Sequence, residues 1–165
     1  MMDLAILGLL ADGPRHGYQV RRRLHELGFR RISFGSLYPA IRRLEARGLI
    51  SAVRSSGRRK EYRITEDGTA AFENMLGAEV DDGDERQFRM RLAFFAHLDP
   101  GRRIAVLEDR RSVLTDRLVE LRKTRKVMTP EDPYPLALVE RSVTTTEGEI
   151  SWLGGLIAGE RSSGR

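Results

Sequence analysis

The chain has 165 residues, 40% hydrophobic and 32% charged, with no cysteine. That is enough apolar material for one large domain or two small ones, and it excludes disulfides and thiolate metal sites. Charge is uneven: positions 1–64 hold 14 Lys and Arg against 5 Asp and Glu, a net of +9, and the rest carries −4. A basic half of this kind suits a polyanion through counterion release, although a plain solvated face is also often basic.

In chain order, Leu4, Ile6, Leu7, Leu9 and Leu10 predict a helix apolar on most sides, stopped by the turn Asp12-Gly13-Pro14. The run lacks a basic flank and is too short to span a bilayer, so a core helix is expected and no membrane partner. His16-Gly17-Tyr18 opens a second helix, with Val20, Leu24 and Leu27 on one stripe, Arg21, Arg22 and Arg23 around it, and Gly28 as its stop. Its first N–H groups, near Tyr18 and Gln19, offer a place for a phosphate.

The stretch Ser33 to Ile50 predicts a third helix ending at Gly48. Leu37, Ile41 and Leu44 form its buried stripe, and Arg42, Arg43 and Arg47 face outward. Ser33 or Ser36 caps it. A proline is cheap only in the first turn, so Pro39 favours Ser36 unless the helix bends there. Leu49–Arg54 and Lys60–Ile64 read as strands, and Ser55-Ser56-Gly57-Arg58-Arg59 has hairpin composition. Three helices followed by a basic-tipped hairpin is the order of a winged helix-turn-helix. In such a fold Arg42 and Arg43 are the best base readers by type, since arginine pairs bidentately with guanine, and serine or tyrosine can meet base edges or phosphates. Arg58, Arg59 and Lys60 suit phosphate or minor-groove contact.

The segments LAILGLL, HGYQVRRRL, GSLYPAIRRLEARGLI and RRKEYRIT with the following TEDG resemble the N-terminal domain of PadR-like transcriptional regulators. The resemblance implies that the helix after Ser36 is the recognition helix, with Tyr38 in the DNA-facing part of its first turn beside Ser36 and Pro39. It also implies that the Arg58-Arg59-Lys60 loop is the wing and that double-stranded DNA is the partner.

Beyond Ile64, Thr65 caps a helix through Phe72, Met75 and Leu76, and the acidic, glycine-containing stretch from Gly77 to Glu85 marks a boundary. A helix over Glu85–Leu98 follows, with Phe88, Leu92, Phe95 and Leu98 on one stripe and Arg89 and Arg91 off it. Asp99-Pro100 starts a long helix to Val127. Pro130, Pro133 and Pro135 then make a turn before a last helix over Leu136–Ile157. The expected fold is mainly α with a small β-hairpin. Residues 1–76 form a winged helix-turn-helix domain, 77–87 a linker, 88–158 a C-terminal helical dimerisation and effector domain, and 159–165 a flexible tail.

Both long helices repeat apolar residues at alternating three and four spacings. Leu118, Leu121, Val139, Val143, Ile150, Leu153 and Ile157 are therefore expected at a dimer interface, and an intramolecular three-helix bundle fits the same pattern. The resemblance favours the homodimer, because PadR-like proteins end in a helical region that dimerises. Trp152 lies next to this seam and could stack on a planar ligand; core packing is the commoner role of such a residue. Some PadR-like regulators respond to aromatic compounds, which makes a small-molecule effector a further partner and repression the commoner outcome.

His16, His25 and His97 have no metal-ligand spacing, and no phosphate loop or nucleophile elbow occurs, so no metal, cofactor or enzymatic activity is expected. The expected function is a sequence-specific, cytoplasmic, nucleoid-associated regulator, a homodimeric repressor of near-palindromic operators. The alternative is a winged-helix adaptor that binds protein instead of DNA.

Overall fold

The computed structural model describes residues 1–30, 32–53, 60–78, 85–128 and 133–163. Among these, the elements run α1 (Met2–Ala11), β1 (Arg15–His16), α2 (Gly17–Glu26), α3 (Phe34–Ala46), β2 (Ile50–Val53), β3 (Glu61–Ile64), α4 (Glu66–Gly77), α5 (Glu85–Leu92), a 3-10 turn (Phe95–His97), α6 (Pro100–Val127) and α7 (Pro133–Ser163). The fold is mainly helical with a small antiparallel sheet, a winged helix-turn-helix followed by a helical C-terminal region. The residues sort into two compact units, Met1–Leu98 and Asp99–Arg165.

The first unit is built around α1. Every residue from Leu4 to Leu10 is buried, because α2, α3, α4, α5 and β3 all pack on this helix. Its five large aliphatic side chains contribute about 7–15 kcal/mol of transfer free energy. A side chain at Gly8 would strike the Phe94 ring, 2.6 Å from where its Cβ would lie, so glycine lets the segment after α5 approach α1. Gly28 and Gly48 stop α2 and α3 with φ of +90° and +71°, as their sequence positions predict.

The sheet holds one strand that the sequence does not announce. β3 is central, pairing Ile50↔Ile64 through Val53↔Glu61 with β2, and Arg15↔Tyr62 and His16↔Glu61 with β1. Two residues carry no readable periodicity, so His16 looks from sequence only like the start of α2.

Three further local features differ from expectation. Ser33, not Ser36, caps α3: its hydroxyl accepts from the Ser36 N–H at 3.3 Å, and Pro39 lies inside the helix. The carbonyl deprived of a helical N–H by that proline belongs to Gly35, which has no side chain to restrict its adjustment. The helix expected through Leu98 ends at Leu92, and the change of direction buries Phe94 and Arg91. Arg91 is not a surface residue. Its Nε–H donates to the Leu76 carbonyl at 3.0 Å, satisfying an open acceptor in the last turn of α4, and burial lowers its pKa. This cap ties α5 to the first unit, which extends to Leu98, past the composition boundary at 77–87.

In the second unit α6 and α7 run antiparallel. Asp99 caps α6, accepting from the Arg102 N–H at 2.9 Å, with Pro100 in the first turn. Leu107, Leu114 and Leu118 of α6 and Val143, Thr146, Leu153 and Ile157 of α7 form the buried seam. Four residues expected at a dimer interface, Leu118, Val143, Leu153 and Ile157, are thus buried within this chain, while Leu121, Val139 and Ile150 are half-buried. The three-four spacing serves either partner, and only residues 128–132 separate the two helices, so closing on each other costs little chain entropy. Arg110 is buried beside Glu149 with N···O of 3.0 Å, and Arg122 pairs with Glu147 at 2.7 Å. The helix α7 also continues through 159–163, which composition reads as tail.

One close approach fixes α4 against the start of β2. Thr65 caps α4 through the Gly68 N–H at 3.1 Å and donates its own hydroxyl to the Gly48 carbonyl at 2.7 Å. A Cβ on Gly68 would lie 1.9 Å from the Leu49 carbonyl oxygen, which already accepts the Thr65 N–H. Gly68→Ala therefore costs about 3 kcal/mol, read as a lower urea midpoint with an unchanged slope.

Candidate nucleic-acid interface

The azimuth of α3 is set by Leu37, Ala40, Ile41 and Leu44, all buried, and this splits its outward arginines between two flanks. Tyr38 and Arg42 lie toward α2 and β3. The start of α2 approaches so closely that a Cβ on Gly17 would be 3.0 Å from the Tyr38 ring, and Glu45, on the same side, pairs with Lys60 at 3.9 Å. Arg43 lies toward α1. It is ion-paired to Asp3, whose other oxygen is 3.7 Å from Arg47. Arg42 is exposed and has no ion-pair partner among the described residues. The two arginines that look equivalent in sequence therefore differ: one faces solvent beside the sheet, and the other is engaged by the first turn of α1.

Between α2, α3 and β3 lies a cleft of about 210 Å³ lined by His16, Gly17, Tyr18, Tyr38, Lys60 and Tyr62. His16 organises it. Its N–H donates to Gln19 Oε1 at 2.8 Å and its Nδ1–H donates to the Lys60 carbonyl at 3.1 Å, while its ring stacks on Tyr18 with centroids 5.7 Å apart. Gln19 thus closes the first turn of α2, as the glutamine of a capping box does. Tyr18 and Tyr38 are 39% and 38% exposed, so their rings reach the surface at the two sides of the cleft. Tyr62 at its base has its pKa raised, mostly by burial and further by Glu45 and Tyr38, against a lowering by Arg42. It stays a protonated hydroxyl.

A second, larger groove of about 710 Å³ runs between α2 and the start of α3, lined by Tyr18, Arg21, Arg22, His25, Glu26, Arg30 and Phe34. The Arg21 guanidinium lies 4.2 Å from the centroid of the Phe34 ring, and Phe34 stacks on Tyr38 at 5.8 Å. Neither Phe34 nor Arg21 stands out as functional in the sequence, because an aromatic one residue after a cap reads as core.

Of the residues expected at the DNA, Tyr18, Tyr38, Arg42 and Lys60 come together on one side of the first unit. Ser36 and Pro39 are exposed on α3, the Ser36 hydroxyl donating to the Ser33 carbonyl at 3.0 Å. Gln19 is engaged as a cap and Arg43 with Asp3. Arg58 and Arg59 lie outside the described residues. In the second unit Trp152 is 48% exposed. Among the described residues no group of three or more His, Cys, Asp or Glu could hold a metal, and no helix is long and apolar enough to cross a membrane.

The profile of the transcriptional regulator PadR-like family matches residues 6–74, and that of the virulence activator alpha C-terminal region matches 86–158. A PadR family transcription regulator from Clostridium difficile R20291 is 30% identical over 44% of this chain and 79% of its own, with a TM-score of 0.39. The chain belongs to the PadR-like family of transcriptional regulators. The family comprises regulators, not enzymes. Bacillus subtilis PadR, solved with operator DNA, is 20% identical over 96% of this chain and 98% of its own, with a TM-score of 0.43. The same protein solved with p-coumaric acid gives 20%, 97%, 98% and 0.45. A curated relative, an uncharacterized 37.1 kDa protein in transposon TN4556 of Streptomyces fradiae, is 36% identical over 71 residues, 43% of this chain; the match spans 21% of that protein. Membership rests on the sequence matches, which take in both HGYQ and GSLYPAIRRLEARGLI.

The capping role of Gln19 separates it from the exposed residues around it. Gln19→Ala lowers stability by about 1 kcal/mol in a denaturant melt, as loss of a helix cap does.

Proposed function

We propose that this PadR-like regulator binds operator DNA through the Tyr38–Arg42 flank of α3, with Tyr18 and Lys60 on either side of it. The observation that carries this reading is the sorting of the α3 arginines: Arg42 stands exposed beside Tyr38, within a half of the chain whose net charge is +9. Arg42 is the base reader, pairing with guanine in the major groove, and Ser36 and Pro39 line the same approach. Lys60, with Arg58 and Arg59, supplies phosphate contacts. Arg43 orients α3 through Asp3 and contributes little to base recognition. Gln19 acts on DNA only indirectly, by fixing the turn that carries Tyr18.

In the same reading the second unit makes a homodimer, and the operator is a near-palindrome. The seam between α6 and α7 uses one face of α7. Tyr134 and Trp152 are eighteen residues apart, five whole turns, so they share another face with Leu138, and all three are exposed. These, with Val119 and Val127 of α6, form the dimer surface in place of the buried Leu118, Val143, Leu153 and Ile157, and the half-buried Leu121, Val139 and Ile150 border the seam. The reading extends to repression in the cytoplasm, relieved by a small aromatic ligand near Trp152. Bacillus subtilis PadR, with its operator DNA and p-coumaric acid complexes, supplies examples of both partner classes.

Selection of bound duplexes from a random pool tests the reading as a whole, since it yields a two-fold symmetric site if the homodimer reads DNA. On that site Arg42→Ala weakens binding at least about tenfold, and Arg43→Ala less than about threefold. Affinity for the wild-type protein falls steeply with added salt. Equal losses for the two variants would remove the distinction between the flanks, and salt-insensitive capture of a protein partner in the absence of DNA binding would favour the adaptor.

A further inference from the structure

Phe34 opens α3 and is 44% exposed. An exposed phenylalanine at the first helical position adds nothing to the core, which α3 meets through Leu37, Ala40, Ile41 and Leu44. Yet its ring is held. Tyr38, one turn on, stacks on it with an interplanar angle of 21°, and the Arg21 guanidinium from α2 lies 4.2 Å from its centroid. Such contacts are each worth about 1 kcal/mol, enough to fix a rotamer. The ring therefore stands at the surface in one orientation.

Its surroundings select the partner. Among the described residues the groove wall around Phe34 carries Arg21, Arg22, Arg30 and His25, with Glu26, 3.8 Å from Arg22, as its one carboxylate. A hydrophobic protein segment is poorly matched to three arginines, whereas duplex DNA offers both elements required, phosphates for the guanidinium groups and an apolar group for the ring. The apolar group displayed in the major groove is the 5-methyl of thymine. The first residues of a recognition helix are also the ones that meet base edges.

We infer that Phe34, braced by Arg21 and Tyr38, is a specificity-determining residue that reads a thymine methyl group in the operator half-site. The inference rests on the DNA-binding reading above and adds a base preference to it. Arg21 and Tyr38 are positioning residues for the ring. A methyl group buried against it is worth about fourfold in affinity.

The test leaves the protein unchanged at first. In the duplex obtained by selection, each thymine is replaced singly by deoxyuridine, which removes the methyl and keeps every hydrogen-bonding group. Wild-type protein should lose about fourfold in affinity at one thymine of each half-site and little elsewhere. Phe34→Ala should bind the parent duplex about fourfold more weakly, keep the guanine preference and salt dependence, and no longer distinguish deoxyuridine from thymine at that position. Phe34→Leu, which keeps an apolar contact, should retain part of the discrimination. A selected site without thymine, a uniform response to deoxyuridine, or discrimination that persists in Phe34→Ala would each overturn the inference while DNA binding stands. Failure of the wild-type protein to bind any duplex would overturn both.

Discussion

The structure depends first on the burial of one face of α3 against a helix that is itself buried throughout. Because α1 has no exposed stretch between Leu4 and Leu10, α3 can seat Leu37, Ala40, Ile41 and Leu44 in only one rotational setting. A turn of α3 by a single residue position, about 100°, would place Tyr38 or Arg42 in the core. That cost is several kcal/mol, far above anything the surface ion pairs could return. The hydrophobic stripe thus decides what the polar residues face: Arg43 and Arg47 the α1 flank, Arg42 and Tyr38 the sheet flank.

Electrostatics then works within that setting. Asp3 lies in the first turn of α1, where the helix dipole already favours a carboxylate, and two arginines one turn apart, Arg43 on α3 and Arg47 just past its end, share it. Exposed pairs of this type contribute little to stability, about 0–1 kcal/mol. Their consequence is positional: Asp3 offsets part of the charge on one flank and leaves the other basic. Lys60 is treated more loosely, at 3.9 Å from Glu45 with both side chains partly in solvent, so a phosphate can compete for it.

The parts legible in the sequence are those governed by local rules. The stops at Gly28 and Gly48, the caps at Thr65 and Asp99, and the stripes of the first three helices follow from residue type and spacing alone. What was not legible depends on partners far along the chain. β1 exists because Arg15 and His16 meet Tyr62 and Glu61, and two residues cannot advertise a strand. Arg91 looks like a surface cation until the end of α4 arrives to need a donor. Arg42 and Arg43 are adjacent and identical in type, and they differ only through the flank to which the α3 stripe turns each, where Arg43 meets Asp3. The seam residues of α6 and α7 show the same limit from another side: a three-four repeat states that a helix will be covered, not by which helix. At the candidate site, Tyr38 and Lys60 could be named from motif and charge, whereas Phe34 and Arg21 required the fold.

The magnitudes also bear on why the proposed reading calls for two half-sites. Phosphate contacts by a basic unit raise affinity for every duplex alike, and selectivity has to come from base contacts. One arginine paired to guanine contributes about 1–3 kcal/mol of discrimination, and one apolar contact to a methyl adds about 0.8 kcal/mol. Together they give about 2–4 kcal/mol, at or below the lower edge of the roughly 4–10 kcal/mol that separates specific from non-specific binding. Doubling the set by two-fold symmetry brings it to about 4–8 kcal/mol, inside that range. On the proposed reading, a first unit with so few readers therefore calls for a second copy held at a fixed spacing. Tyr134, Leu138 and Trp152, exposed in a line on α7, are the apolar side chains proposed to hold it.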